Sequence, residues 1–235
     1  MDKFFWFKER IYNIFFPIKC GYCDKITDDG RYVCKNCDLA INIEELKCRC
    51  KFCGTKLFTK DRVCLNCAKE KKYYDEFIFF AEYKGVLKDK MLAYKFNDKK
   101  YLKNFFAYEL AKCLHGVEAD FITGVPITKK RRKERGYNQT NLIAKELALV
   151  LDIEYLPNLL VKIKDTEHQS KLSKTERKFN IKNSFKVADK YNIDGKKILL
   201  IDDIFTTGAT VNECSRVLKY AGANRVTVST ILKKK

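Results

Sequence analysis

Histidine is almost missing from this chain. Of 235 residues only His115 and His168 are histidines, and neither has a second metal-ligating residue at a useful spacing, so a histidine-built metal centre is excluded. His115 reads as an ordinary residue near a helix end. A run of apolar residues long enough to span a bilayer is missing too. The first 17 residues are rich in Phe4, Phe5, Trp6, Phe7, Ile11, Ile14, Phe15 and Phe16, but Lys3, Lys8, Glu9 and Arg10 interrupt them and no small-residue cleavage site follows. Residues 4–16 fit an amphipathic helix that packs on its own protein and ends at Pro17. The expectation is a cytoplasmic, reduced protein with no stable membrane insertion. Acidic residues are also scarce, 30 against 48 Lys and Arg, for a formal charge of +18 and a pI near 9.4. Such an excess favours polyanionic partners, although a Lys-rich, Asn-rich chain also acquires it from genome composition.

Cysteine is abundant, and its distribution is uneven. Nine of the eleven lie between Cys20 and Cys67. Cys20-x-x-Cys23 and Cys34-x-x-Cys37 stand ten residues apart, and Cys50-x-x-Cys53 and Cys64-x-x-Cys67 repeat that spacing. Two such turns converging on one ion make a closed tetrahedral thiolate site, so two structural Zn2+ ions are expected in a double zinc ribbon. Eight thiolates and two zinc ions would lower the net charge to about +14. Gly21 and Gly54 fall in or just after the leading turns, where tight backbone is needed. Cys48 is the odd member; spacing leaves open whether it or Cys50 is the ligand. Each ribbon is too small for a core of its own, so metal must supply much of its folding energy.

The rest of the chain is organised around Ile198–Thr210. Ile198 to Ile201 are an unbroken apolar run, as in a strand buried on both faces of a parallel sheet. Asp202 and Asp203 follow, then a Thr-Thr-Gly turn, then a helical apolar pattern at Val211, Cys214, Val217 and Leu218 up to Tyr220. Gly222 stops that helix, and Arg225–Leu232 reads as the next strand. The hydroxyls and N–H groups of residues 206–210 at a helix N-terminus suit a phosphate, and carboxylates at the strand end suit sugar hydroxyls. Upstream, Tyr73–Tyr83 reads as a strand, Gly85 opens a helix, Leu102–Leu114 form a second, Phe121–Pro126 is a strand and Asn138–Val150 a helix. The basic run Lys129–Arg135 reads as a loop at the ligand edge of the sheet. Residues 160–190 read as a long mobile lid with some helix, carrying His168. Cys113 and Cys214 fall on apolar helical faces and read as core.

The run from Ile198 through Asp202-Asp203 to Thr206-Thr207-Gly208-Ala209-Thr210 resembles the phosphoribosyl-pyrophosphate (PRPP) signature of type I phosphoribosyltransferases. Add the cysteine pairs, Val125-Pro126, Arg135-Gly136-Tyr137-Asn138-Gln139, and Gln169, Arg177 and Asn180, and nearly the whole chain resembles the ComF family of competence-associated proteins. The resemblance implies an α/β fold, a parallel phosphoribosyltransferase-like sheet flanked by helices and preceded by the ribbons. The expected domains are a helix over 1–17, the double ribbon over 18–72 and the transferase-like domain over 73–235. It implies cytoplasmic work during uptake of transforming DNA with single-stranded DNA as ligand, the grip coming from Lys129, Lys130, Arg131, Arg132, Lys133 and a stacking Tyr137. If PRPP binds, Asp202 and Asp203 are the catalytic acids, residues 206–210 hold phosphate, Lys129, Lys130 and Arg135 face the pyrophosphate, and Mg2+ bridges it. One departure is that Lys162 and Lys164 precede Thr166 and Gln169 where arginines are expected, which loses bidentate phosphate geometry. The alternatives are an active transferase of unknown acceptor and a ribbon adaptor for a competence helicase.

Overall fold

The strand expected from the apolar run is β6 (Lys197–Phe205), and it sits at the centre of a five-stranded parallel sheet in the order β1-β7-β6-β2-β3. The computed structural model describes residues 17–27, 29–40, 48–58, 61–164 and 181–234. The expected helix over 4–16 and the lid residues His168, Gln169, Arg177 and Asn180 lie outside the described residues. The other strands of this sheet are β1 (Glu76–Glu82), β2 (Phe121–Gly124), β3 (Glu154–Tyr155) and β7 (Arg225–Lys233). Ile198, Leu199, Leu200 and Ile201 are all buried, because alternate side chains enter different cores. Ile198 and Leu200 join Val226, Val228, Phe77, Phe79 and Phe205 in one cluster that includes Val211, Cys214 and Leu218 of α7 (Ala209–Tyr220). Leu199 and Ile201 are on the opposite face. Burying each such side chain contributes about 1.5–3 kcal/mol.

Four more helices connect these strands: α3 (Gly85–Phe96), α4 (Leu102–Cys113), α5 (Lys129–Arg135) and α6 (Gln139–Leu151). Two of them, α4 and α6, pack on one another, α4 reaching β1 and α6 reaching β2, while α7 covers β6 and β7. The connections set the position of the site. From β6 the chain passes through α7 to its neighbour β7, and from β2 it passes through α5 and α6 to β3 on the other side. Since β2 and β6 are paired, the direction of winding reverses between them, and the crevice outside their carboxyl ends is where such sheets take ligands.

Three readings need correction. Residues 129–135 are not a loop but the short helix α5. Lys, Arg and Glu are good helix formers, Thr128 caps the start by accepting from the Arg131 N–H at 3.2 Å, and Gly136 ends it in the left-handed conformation at φ 75°. The run has no apolar period because the helix buries no residue completely. The described ends of the 160–190 segment are ordered strands: β4 (Leu160–Lys162) pairs antiparallel with β5 (Phe185–Val187). Asn183 N–H donates to Glu213 Oε1 at 2.7 Å, which ties this pair to α7. Cys214 is buried as expected, but Cys113 is only half-buried.

The chain divides into two compact units, Met1–Glu45 and Leu46–Lys235. The first contains α1 (Lys35–Ala40) and the leading cysteine group. The second contains α2 (Leu65–Ala68), the second cysteine group and the whole sheet. Within the larger unit the ribbon is bonded to the sheet: Tyr74 Oη donates to Phe52 O at 2.6 Å and the Phe77 N–H donates to Lys51 O at 2.7 Å.

Candidate functional site

The two cysteine groups have the same local construction. Cys20 N–H bonds Lys25 O, Asp24 N–H bonds Cys20 O, Gly21 N–H bonds Tyr32 O and Asp38 N–H bonds Cys34 O. Thirty residues later (Cys20 to Cys50) the same four bonds recur as Cys50 to Thr55, Gly54 to Cys50, Lys51 to Arg62 and Ala68 to Cys64. The left-handed position of each turn is Asp24 (φ 61°) or Gly54 (φ 66°). Gly21 does not occupy it, so the glycine that the turn uses is Gly54 alone. A Cβ at Gly54 would come within 2.4 Å of the Phe79 ring, so the second ribbon approaches the sheet where only glycine fits.

The sulfur atoms of Cys20, Cys23, Cys34 and Cys37 all lie within 4.8 Å of one another, as do those of Cys50, Cys53, Cys64 and Cys67. Cys48 belongs to neither group. Sulfurs 2.3 Å from a common tetrahedral centre would be about 3.8 Å apart; Cys23 and Cys34 are 3.8 Å apart and Cys53 and Cys64 are 3.6 Å apart. Both groups therefore fit a closed four-thiolate ion site. Burial raises the Cys50 thiol, but N–H groups of Cys64, Phe52 and Cys53 more than offset it and bring it down to about 7, while burial and the neighbouring cysteines push Cys67 up. Four thiolates cannot share this space without a cation among them.

At the carboxyl end of β6, Asp202 Oδ1 accepts from the Asp203 N–H at 2.8 Å. Burial first and then the Asp203 charge push the Asp202 carboxyl up to about 7, against the pull of Lys95 and Arg131. Asp203 Oδ2 lies 2.6 Å from Lys95 Nζ, and the two side chains are only 19% and 14% exposed. The Thr206-Thr207-Gly208 turn follows. Phe205 stacks on Phe77 with centroids 4.2 Å apart, and Gly208, at φ 75°, passes so close that a Cβ would lie 2.6 Å from the Phe205 ring. Thr207 Oγ1 lies 3.4 Å from the Ala209 N–H, and the first N–H groups of α7 have no intrahelical acceptor. Thr206 is exposed; Thr207, Ala209 and Thr210 are half-buried.

The basic residues of α5 divide by face. Arg131 and Arg135, four apart and thus on one side of the helix, are half-buried, whereas Lys129, Lys130, Arg132 and Lys133 are exposed. Burial lowers the Arg135 guanidinium and Asp203 counters it only in part, and the Arg131 charge favours the ionised form of Asp202. Tyr137 donates to Tyr94 O at 3.2 Å and Lys100 lies 4.7 Å over its ring, so one face of that ring is already covered. Asn138 caps α6 by accepting from the Thr140 N–H at 3.1 Å and donates to Val125 O at 3.0 Å, which fixes the end of β2 beside the site. Gln139 is buried, and its side-chain amide has no hydrogen-bond partner among the described residues.

Sequence reasoning missed Lys95 and Phe96, the last residues of α3. Phe96 is 65% exposed, with the Arg135 guanidinium 4.9 Å from its ring centroid. On the second ribbon, Arg49 is engaged by Gly54 O at 3.2 Å and by the Phe79 ring, and Lys51 lies over Phe52. No helix among the described residues is long and apolar enough to cross a membrane.

The pattern of the phosphoribosyl transferase domain family matches residues 133–235, which contain β6, the acid pair and the loop into α7. Over most of its length the chain is similar to competence protein F of Haemophilus influenzae, 30% identical over 225 residues that cover 91% of this chain and 96% of that one. Competence protein ComFC of Streptococcus pneumoniae is 31% identical over 214 residues, covering 88% and 90%. The DNA utilization protein YhgH of Escherichia coli is 27% identical over 220 residues, covering 90% and 95%. With a parallel phosphoribosyltransferase-type sheet behind two four-cysteine turns, and a likeness that runs almost end to end, the chain belongs to the ComF family.

Proposed function

We propose that this protein handles incoming DNA in the cytoplasm, a role in keeping with relatives named for competence and DNA utilization, and that it combines two binding surfaces on one short helix. The observation that carries the reading is the division of α5. Arg131 and Arg135 are half-buried and interact electrostatically with Asp202 and Asp203 respectively, while Lys129, Lys130, Arg132 and Lys133 are exposed. The inner side, with the loop from Thr206 to Thr210, takes the phosphates of PRPP; the outer side takes the backbone of single-stranded DNA. Exposed Phe96 beside Arg135 offers a ring for a base. The cysteine groups hold one structural Zn2+ each, because a closed set of four thiolates is what zinc prefers.

Single-strand binding is tested by fluorescence anisotropy of a labelled oligonucleotide over a range of salt concentrations. Replacing Lys129, Lys130 and Lys133 together by Ala should flatten the plot of log affinity against log salt by about two, at about 0.7 per phosphate contact on a single strand. An unchanged slope removes α5 from the DNA site. A second reading, transferase activity on an unidentified acceptor, is favoured by the acid pair beside the loop. Release of pyrophosphate from PRPP on adding candidate acceptors is its test.

A further inference from the structure

Strand β1 ends the order β1-β7-β6-β2-β3, so its outer side is an edge of the sheet. Five of its seven residues, Phe77 to Ala81, are apolar. A long apolar edge is a template for pairing with another chain, because its outward N–H and C=O groups await partners. Among the described residues the second ribbon covers this edge with one backbone bond, the Phe77 N–H donating to Lys51 O at 2.7 Å. Backbone groups alternate from one side of a strand to the other, so the Phe77 C=O and the Phe79 N–H point the same way as that bond.

A cavity of about 450 Å³ lies beside this edge, within the larger of the two units. Ligand sites are usually about 300–1,000 Å³. Phe77, Ile78 and Phe79 line it together, and since consecutive side chains of a strand point to opposite faces, a cavity touching all three opens onto the strand's edge. Cys113 at the end of α4 and Arg49 and Arg62 of the ribbon supply other parts of the wall. Cations exceed acids here: Arg49, Lys51 and Arg62 stand with Asp61 and Glu76. Glu76 is already engaged by Arg225 at 2.9 Å, whereas Arg62 is 3.5 Å from it with a side chain 75% exposed. A nucleic-acid backbone suits this place less than α5 does, because two carboxylates stand among the cations and phosphate offers a strand edge acceptors only. We propose that the β1 edge docks an extended acidic segment of another protein, added as a further strand with main-chain bonds to Phe77 and Phe79 and a carboxylate on Arg62.

The test uses full-length protein and a fluorescein-labelled peptide of seven residues that alternates valine and glutamate, with anisotropy as the readout. The peptide should bind, and a version with lysine for glutamate should bind more weakly by about tenfold or more. Arg62→Glu should cost about as much, as expected when a charge-assisted contact is lost, and its melting temperature should match the wild type because the side chain is exposed. Two further peptides carry methyl groups on alternate backbone nitrogens, one on the valines and one on the glutamates. One of them, whichever blocks the pairing side, should lose about tenfold or more while the other binds like the parent. Hydrogen exchange resolved by peptide should show added protection in β1 and none in β3, the other edge. Absence of binding by the valine–glutamate peptide overturns the proposal, and so does binding that tolerates both methylated versions equally, since charge alone would then hold the peptide. Stoichiometric displacement of the peptide by a single-stranded oligonucleotide also overturns it and makes the cavity a nucleic-acid site.

Discussion

Asp202 carries a charge that the fold resists. Its carboxyl holds a proton up to about pH 7 against an ordinary value of 3.8, because burial and the Asp203 charge disfavour ionisation. The folded state therefore binds that proton more tightly than the unfolded chain does. Its contribution to stability is fully present below about pH 4 and is lost as pH rises through about 7. Asp202→Asn keeps an oxygen for the Asp203 N–H and removes the charge. By scanning calorimetry the variant should melt about 2–4 °C higher than wild type at pH 8, for a gain on the order of 1 kcal/mol, and no higher at pH 4. It should bind PRPP more weakly by about 1.5–3 kcal/mol, the cost of one charge-assisted hydrogen bond. Equal melting temperatures at pH 8 would mean that Asp202 is ionised in the fold at no cost. Gly208 is the other single position that decides the site. An L-residue at φ 75° costs about 1–2 kcal/mol, and a Cβ there would strike the Phe205 ring. Gly208→Ala should accordingly lower the melting temperature and abolish PRPP binding together.

The unit from β6 through the loop into α7 and β7 was legible because its signals are local: a four-residue apolar run, two acids, a glycine turn and a helical period all lie within about one βαβ length. Helix α5 was not. Seven consecutive charged residues offer no apolar period to read, and the helix is disclosed only by its caps, Thr128 and Gly136. Its two faces should separate by mutation. Arg131→Ala with Arg135→Ala should weaken PRPP binding at least tenfold, or about 1.4 kcal/mol, and leave most of the DNA salt slope in place; the Lys129, Lys130 and Lys133 triple variant should do the reverse. Anisotropy and calorimetry on the same two preparations check both halves. If either variant lowers both affinities equally, α5 does not have two working faces. Lys95 and Phe96 escaped notice for a different reason. They end a helix more than a hundred residues before Asp203, and only the sheet order β1-β7-β6-β2-β3 brings α3 to the end of β6.

Across the whole molecule, the two cysteine groups belong to different units despite their matching hydrogen bonds. Their repeat was plain in the spacing; the attachment of the second group to the sheet was not, since it depends on Phe52, Gly54 and Lys51 meeting Tyr74, Phe79 and Phe77. Elemental analysis of reduced protein should find two zinc ions per chain. Cys34→Ser should unfold its own turns and leave amide protection from Leu46 onward unchanged, whereas Cys64→Ser should also loosen β1, through loss of the Lys51 and Phe52 contacts. Hydrogen exchange resolved by peptide separates the outcomes, and protection in β1 that survives Cys64→Ser would show that the sheet does not depend on the second ribbon. The central claim is that sugar phosphate and single-stranded DNA occupy opposite sides of α5. It is tested most directly by titrating PRPP calorimetrically into protein already saturated with a single-stranded oligonucleotide. The account predicts that PRPP binds the complex with an affinity within about twofold of its affinity for free protein, as for two sites without shared partners. Stoichiometric displacement of the oligonucleotide by PRPP would contradict it and would mean that one phosphate site serves both ligands.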